Sequence, residues 1–251
     1  MKDFIAAADR GRLAEAGLDS FDALWALELP EVDLPNTERG GWSSVCRLEV
    51  GDQAYYLKRQ VNHLTLSWQR PLGEPTFARE MRNIQHYAAL GVPALSAAFY
   101  AERKAEKSWR AILLTHALDG WQDLDQQLRD WPALSAVQQA ASLCACAQLA
   151  ARLHRAGLYH GCLYPKHLFL RVTETGFDAC FIDLEKTRKS ILKQRDRVRD
   201  IDALLRRVGS LWSAEQIELF LAEYLAVLGQ TARAAWWRKA LAKRYAHKAR
   251  T

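Results

Sequence analysis

The chain has 251 residues, 49% apolar and 25% charged, enough to bury a sizeable core in one large domain or two small ones. No run approaches the roughly 18 consecutive apolar residues of a membrane-spanning helix, and no basic start precedes an apolar stretch, so neither a span nor a secretory signal is expected. The net charge of +6 is mostly a tail property: residues 231–251 hold seven Lys or Arg and no acid, the other 230 carry 28 basic and 29 acidic side chains, and a nucleic-acid partner is not expected.

In chain order, the first 25 or so residues read as helical, with Phe4, Ile5, Leu13, Leu18, Phe21, Leu24 and Trp25 among polar positions, until Pro30 and Pro35 break the pattern. Val45–Val50 and Ala54–Val61 read as strands joined at Gly51-Asp52, a hairpin turn. Residues 76–90 return to helical periodicity and stop at Gly91-Val92-Pro93. Extended segments are predicted at about 95–101 and 109–116. A long Ala-rich helix follows over 134–153, closed by His154, Arg155 and Gly157. A small strand pair is expected at 167–171 and 178–183, turning at Gly176. Ser213 with Gln216 forms a capping box ahead of a last helical region. The order predicts an α+β, bilobal fold, a β-rich N-terminal lobe over 1–117 and a helical C-terminal lobe over 118–251.

Cys46, Cys144, Cys146, Cys162 and Cys180 form no CxxC pair, so they read as reduced thiols of a cytoplasmic protein, not a disulfide framework or a zinc site. Chemistry concentrates elsewhere. Glu80 shares a helix face with Phe77, Ile84 and Tyr87, and a carboxylate there needs a cation. Lys58, ending Tyr55-Tyr56-Leu57-Lys58, is the natural partner, because a strand lysine held by a helix glutamate grips the α- and β-phosphates in kinase folds. Gly40-Gly41, 17 residues or so upstream, would let backbone N–H groups approach a phosphate. The loop from His160 through Cys162 to His167 follows a long helix, and Ile182-Asp183-Leu184 comes 16 residues past His167. That spacing is the one on which kinases place a catalytic loop and then a metal-binding aspartate.

Gly40-Gly41, Lys58, Phe77-to-Glu80, Leu153-His154, His160-to-Leu170, Ile182-Asp183-Leu184 and Arg199-Asp200-Ile201 together resemble the lipopolysaccharide-core kinase family of Gram-negative bacteria, the Kdo/WaaP group and its InaA-like branch. The resemblance spans roughly 38–208. It implies a protein-kinase-like fold, ATP with Mg²⁺, and phosphorylation of an inner-core sugar hydroxyl at the cytoplasmic face of the inner membrane. Carried over, Lys58 grips ATP and Glu80 holds Lys58. His167 and Asp183 bind the metal, Asp200 braces the catalytic loop, and backbone near His116 and Leu118 meets adenine.

One departure matters. The catalytic-loop aspartate of the family falls on Cys162, and Gly161 stands where arginine is often found. A thiol of ordinary pKa, roughly 8.5, could act as a poor base if nearby cations lower that value. The alternative is therefore a nucleotide-binding pseudokinase, a scaffold or stress-related regulator. The basic run from Lys186 to Arg199 suits a phosphorylated, carboxylate-bearing acceptor. Trp237, Leu241 and Tyr245 align at helical spacing, so residues 231–251 are a candidate peripheral membrane contact or, alternatively, a packed helix.

Overall fold

A computed structural model describes residues 3–32, 34, 37, 40–67, 70–105 and 108–248. Pro35 of the sequence reading, the tail residues 249–251 and the side chain of Tyr245 lie outside the described residues. The chain divides into two compact units, one made of residues 1–86 and 95–119, the other of 87–94 and 120–251.

The first unit opens with β1 (Phe4–Ile5), α1 (Arg10–Glu15) and α2 (Phe21–Ala26). The continuous helical start expected from periodicity is thus divided: Phe4 and Ile5 pair with Tyr100 and Phe99 as an edge strand. A tertiary partner overrides local preference there. Next come β2 (Trp42–Val50), β3 (Gln53–Val61), β4 (Leu64–Ser67), β5 (Arg70–Pro75) and α3 (Thr76–Ala89). Strands β6 (Ala97–Ala105) and β7 (Ser108–His116) complete an antiparallel sheet ordered β1-β6-β7-β3-β2. Gly51, at φ +62°, makes the tight turn from Val50 to Gln53.

Strand alternation sorts the two faces of this sheet. Leu48, Val50, Tyr55, Leu57, Phe99, Ile112 and Leu114 form one core with Leu13, Phe21 and Leu24 of the amino-terminal helices. Lys58 therefore falls on the opposite face from Leu57. Across the strands it lies level with Val45 and Leu113.

The second unit contains β8 (Gln122–Asp123), α4 (Leu124–Arg129), α5 (Ala136–Arg155), β9 (Leu158–Tyr159), β10 (Leu168–Thr173), β11 (Gly176–Phe181) and β12 (Arg188–Lys189). It ends in α6 (Lys193–Val208), α7 (Ala214–Leu228) and α8 (Ala234–Lys248). Capping boxes at Ser135/Gln138 and Ser213/Gln216 start α5 and α7, each satisfying backbone donors the first turn leaves free. Strands β11, β10 and β8 make a small antiparallel sheet, while β12 pairs with β9. Two members of the stripe on α8 turn inward: Trp237 is fully buried, edge-on to Tyr224 at 5.2 Å, and Leu241 is buried as well. Of the two uses open to the stripe, packing takes these two residues. Among the described residues no helix is long and apolar enough to cross a membrane.

Candidate functional site

In the first unit Lys58 Nζ lies 2.7 Å from Glu80 Oε1, with both side chains largely out of solvent. Their meeting is set by a neighbour that periodicity does not single out. Gln60, fully buried and two residues along β3 from Lys58, accepts from Thr76 Oγ1 at 2.8 Å and from Phe77 N at 3.1 Å through Oε1. Its Nε2 donates to His63 O at 2.7 Å. Two strand residues span about 6.7 Å and one helical turn about 5.4 Å, so pinning Thr76 beside Gln60 brings Glu80, one turn on, level with Lys58. The sequence signal for this residue is an amide two places along the strand from the lysine, on the same face by alternation.

Gly40 has φ +69°. Gly41 is constrained differently: a Cβ there would stand 2.5 Å from His63 N and 2.6 Å from Asn62 C, so the chain's own backbone occupies the space. The glycine at this position serves a close crossing of two segments. His116 is also committed within the unit. Its Nε2 lies 3.0 Å from Asp9 Oδ2, whose other oxygen accepts from Tyr55 OH at 2.7 Å, and its amide donates to Ser96 O. Ala117 N is taken by Ala54 O. The His116 amide and the Ala117 amide are thus both engaged within the sheet.

In the second unit the loop after α5 is built around a buried carboxylate. Asp200, on α6, accepts from His160 N through Oδ2 and from Gly161 N through Oδ1, the latter at 3.0 Å. His154 Nε2 lies 3.3 Å from Asp200, and its Nδ1 lies 2.7 Å from Tyr224 OH, extending the network to α7. Gly161 takes φ +81°, and a Cβ there would sit 2.7 Å from Lys186 O. An arginine at this place would collide with the turn that follows Asp183.

Asp183 itself adopts a left-handed conformation, φ 55° and ψ 60°, which costs a non-glycine residue about 1–2 kcal/mol. Its carboxylate, 39% exposed, places Oδ2 3.2 Å from His167 Nε2 and 3.8 Å from Cys162 Sγ. His167 Nδ1 donates to Cys162 O at 2.8 Å, which leaves an unprotonated Nε2 in the neutral ring. His160 Nε2 donates to Ile182 O at 3.1 Å, and its Nδ1 lies 3.5 Å from Cys162 Sγ. Burial holds both imidazoles below their ordinary pKa, opposed by Asp200 and Asp183 at His160 and by Asp183 at His167.

Burial, reinforced by Asp183, pushes the Cys162 thiol far up. The lowered pKa that base catalysis by sulfur requires is therefore not met; at neutral pH Cys162 is a protonated thiol. Four arginines gather on the other side of the loop. Arg199, Arg206 and Arg207 of α6 and Arg244 of α8 line a cavity of about 170 Å³ with Gly161 and Tyr164. The Arg207 guanidinium stacks 3.3 Å from the Tyr164 ring centre. Arg206 and Arg244 share the buried Asp202.

So the structure brings Lys58 and Glu80 together in one unit, and His160, Cys162, His167 and Asp183 together in the other. A family model described as the lipopolysaccharide kinase (Kdo/WaaP) family matches residues 22–224. Protein InaA of Escherichia coli (strain K12) is 33% identical over 186 residues, 72% of this chain and 84% of that protein. The solved structure of WaaP in complex with acyl carrier protein matches with a TM-score of 0.70 at 22% identity, covering 98% of this chain and 100% of that one. That likeness is one of fold, and it agrees with the kinase-like α+β class expected from the sequence.

Proposed function

This chain belongs to the lipopolysaccharide kinase (Kdo/WaaP) family, and from that premise we propose that it is an ATP-dependent kinase for a sugar hydroxyl, heptose or Kdo, of the lipopolysaccharide inner core. The observation that carries the reading is the Lys58–Glu80 ion pair at 2.7 Å. A half-buried ammonium held by a carboxylate is pre-organised for the α- and β-phosphates, and its orientation is paid for in folding rather than at binding. Asp183 and His167 are the residues that fit a divalent ion. His167 Nε2 and Asp183 Oδ2 stand 3.2 Å apart, close enough for one ion to take both. With ATP, phosphate oxygens would complete the coordination that Mg²⁺ demands, and the ion would supply charge neutralisation for the transferred group.

Phosphoryl transfer runs through a loose transition state in which positioning and electrostatics carry most of the catalysis. A protonated Cys162 removes only the help of a general base, typically about 10²–10⁴ in rate. The arginine-lined cavity beside Gly161 suits a phosphate or carboxylate on the acceptor, which would set the hydroxyl at the loop. We place this activity in the cytoplasm. Any contact of the carboxy-terminal stretch with the inner-membrane surface would rest on Trp236, Lys239 and Lys243, which are exposed, since Trp237 and Leu241 are spent on packing.

A second reading is favoured by the thiol: a pseudokinase that binds nucleotide without transfer and acts as a scaffold or stress-related regulator. Purified protein with Mg²⁺, γ-labelled ATP and dephosphorylated core saccharide separates the two. Label in the saccharide, lost in Asp183→Ala, is expected of the kinase. Binding without transfer, with transfer appearing only in Cys162→Asp, is expected of the pseudokinase. No Mg-ATP-dependent thermal shift at all would refute both.

A further inference from the structure

We propose that His160, Cys162, His167 and Asp183 form a binding site for a transition-metal ion of zinc type. The argument starts from which atoms carry protons. His160 uses Nε2–H on the carbonyl of Ile182, so its Nδ1 presents a lone pair towards Cys162 Sγ, 3.5 Å away. His167 uses Nδ1–H on the carbonyl of Cys162, so its Nε2 presents a lone pair towards Asp183 Oδ2, 3.2 Å away. Each ring thus has its outer nitrogen tied to a backbone carbonyl and its inner nitrogen turned to the cluster, the arrangement by which proteins orient ligating imidazoles.

The spacing fits a tetrahedral ion. With metal–ligand bonds of about 2.0–2.3 Å, neighbouring donors of a tetrahedron lie about 3.3–3.7 Å apart. The observed edges are 3.5 Å from sulfur to His160 and 3.2 Å from His167 to Asp183, with sulfur to Asp183 at 3.8 Å. One donor atom each from His160, Cys162 and His167 already lie within 4.8 Å of one another, so closure needs side-chain adjustments of the order of 1 Å. The donor set decides the metal class. One sulfur and two imidazole nitrogens select zinc-like ions, whereas Mg²⁺ takes near-octahedral sites made mostly of oxygen, such as phosphate and carboxylate would supply around Asp183. The partly exposed Asp183 marks the solvent side by which an ion would enter, His160 and Cys162 being buried. Binding forms one metal–sulfur bond and releases the thiol proton to solvent.

Cys162 is what makes the site: an aspartate at 162 would leave oxygen in place of sulfur. The regulatory consequence, which rests on the kinase reading, is that zinc holds Asp183 and His167 and so excludes Mg²⁺ and stops transfer.

The test is made first on the full chain without nucleotide. Chelator-treated protein is titrated with Zn²⁺ against a chromophoric indicator, and separately with Co²⁺ as a spectroscopic probe. Expected are one bound equivalent, a thiolate-to-cobalt charge-transfer band, and visible bands of tetrahedral strength. Cys162→Ser should abolish the charge-transfer band and weaken zinc binding roughly 100-fold. Cys162→Asp, which keeps a ligand of the type the fold accommodates, should bind Co²⁺ without that band and guards against a misfolded serine variant. Equal zinc affinity in wild type and both variants, or cobalt bound without a thiolate band in wild type, overturns the proposal. Zinc binding in a protein that transfers no phosphate would sink the kinase reading alone; transfer by a protein that binds no zinc would sink the metal site alone.

Discussion

Glu80 and Asp200 are both buried carboxylates, one in each unit, yet they are held by different kinds of partner. Glu80 meets a side-chain cation, the Lys58 ammonium. Asp200 meets main-chain donors, the amides of His160 and Gly161, with His154 alongside. An ion pair between side chains can exchange one partner for a phosphate without moving the backbone. A carboxylate that binds amides instead determines the path of the chain, whatever side chains that chain carries. This explains how position 162 tolerates cysteine: the loop is shaped by Asp200 from behind, so changing residue 162 alters the chemistry it presents more than the place where it is presented.

The comparison breaks most readily at Asp200. Asp200→Ala should strand two amides and His154, costing about 3–5 kcal/mol, and a Tm falling by about 10 °C would register it. Asp200→Asn, which keeps one acceptor oxygen, should lose roughly half as much. A loop equally stable in both variants would mean that it is shaped by something other than the carboxylate.

On the other side, Lys58→Met removes the cation from Glu80, with an expected loss of about 3 kcal/mol together with the Mg-ATP-dependent thermal shift. Adding Glu80→Gln should return most of the stability and none of the nucleotide response, because the cost of burying the charge disappears while the phosphate grip stays lost. Chemical denaturation of the two variants and the double variant gives the coupling directly.

A smaller effect is expected at Gly41. The Cβ of Gly41→Ala would press on the backbone of Asn62 and His63, costing about 1–3 kcal/mol, with any fall in nucleotide affinity following from that displacement. Unchanged stability with weaker ATP binding would instead assign the glycine to the phosphate. The smallest change is predicted at the exposed Arg238–Glu218 pair on α8 and α7, where Arg238→Ala should shift stability by less than about 0.5 kcal/mol in urea titrations.

Much of the fold was legible because periodicity and punctuation agree. The alternation through Val45–Val50 and Ala54–Val61 with Gly51 between them emerges as β2 and β3, and the helix read over 76–90 emerges as α3. The strand pair around Gly176 and the Ser213/Gln216 capping box are found as well. The same S-x-x-Q signal stands at Ser135 and marks the true start of α5. The β4–β5 hairpin was not legible, since Pro71, Gly73 and Pro75 read as breakers and only pairing with a neighbouring strand makes them strand residues. Nor was the division of the first 25 residues, because Phe4 and Ile5 choose strand only where β6 offers an edge.

The sequence by itself determined the class of the fold, the family, and the candidate residues spaced along the chain, since those follow from local pattern and from order. Only the tertiary structure decided what each of them touches. It turned Trp237 inward, spent His116 on Asp9, used Gly41 for a backbone crossing, and buried Cys162 beside Asp183. Protonation, ligation and exposure depend on distances through space and on the exclusion of water, and neither quantity is carried by spacing along the chain.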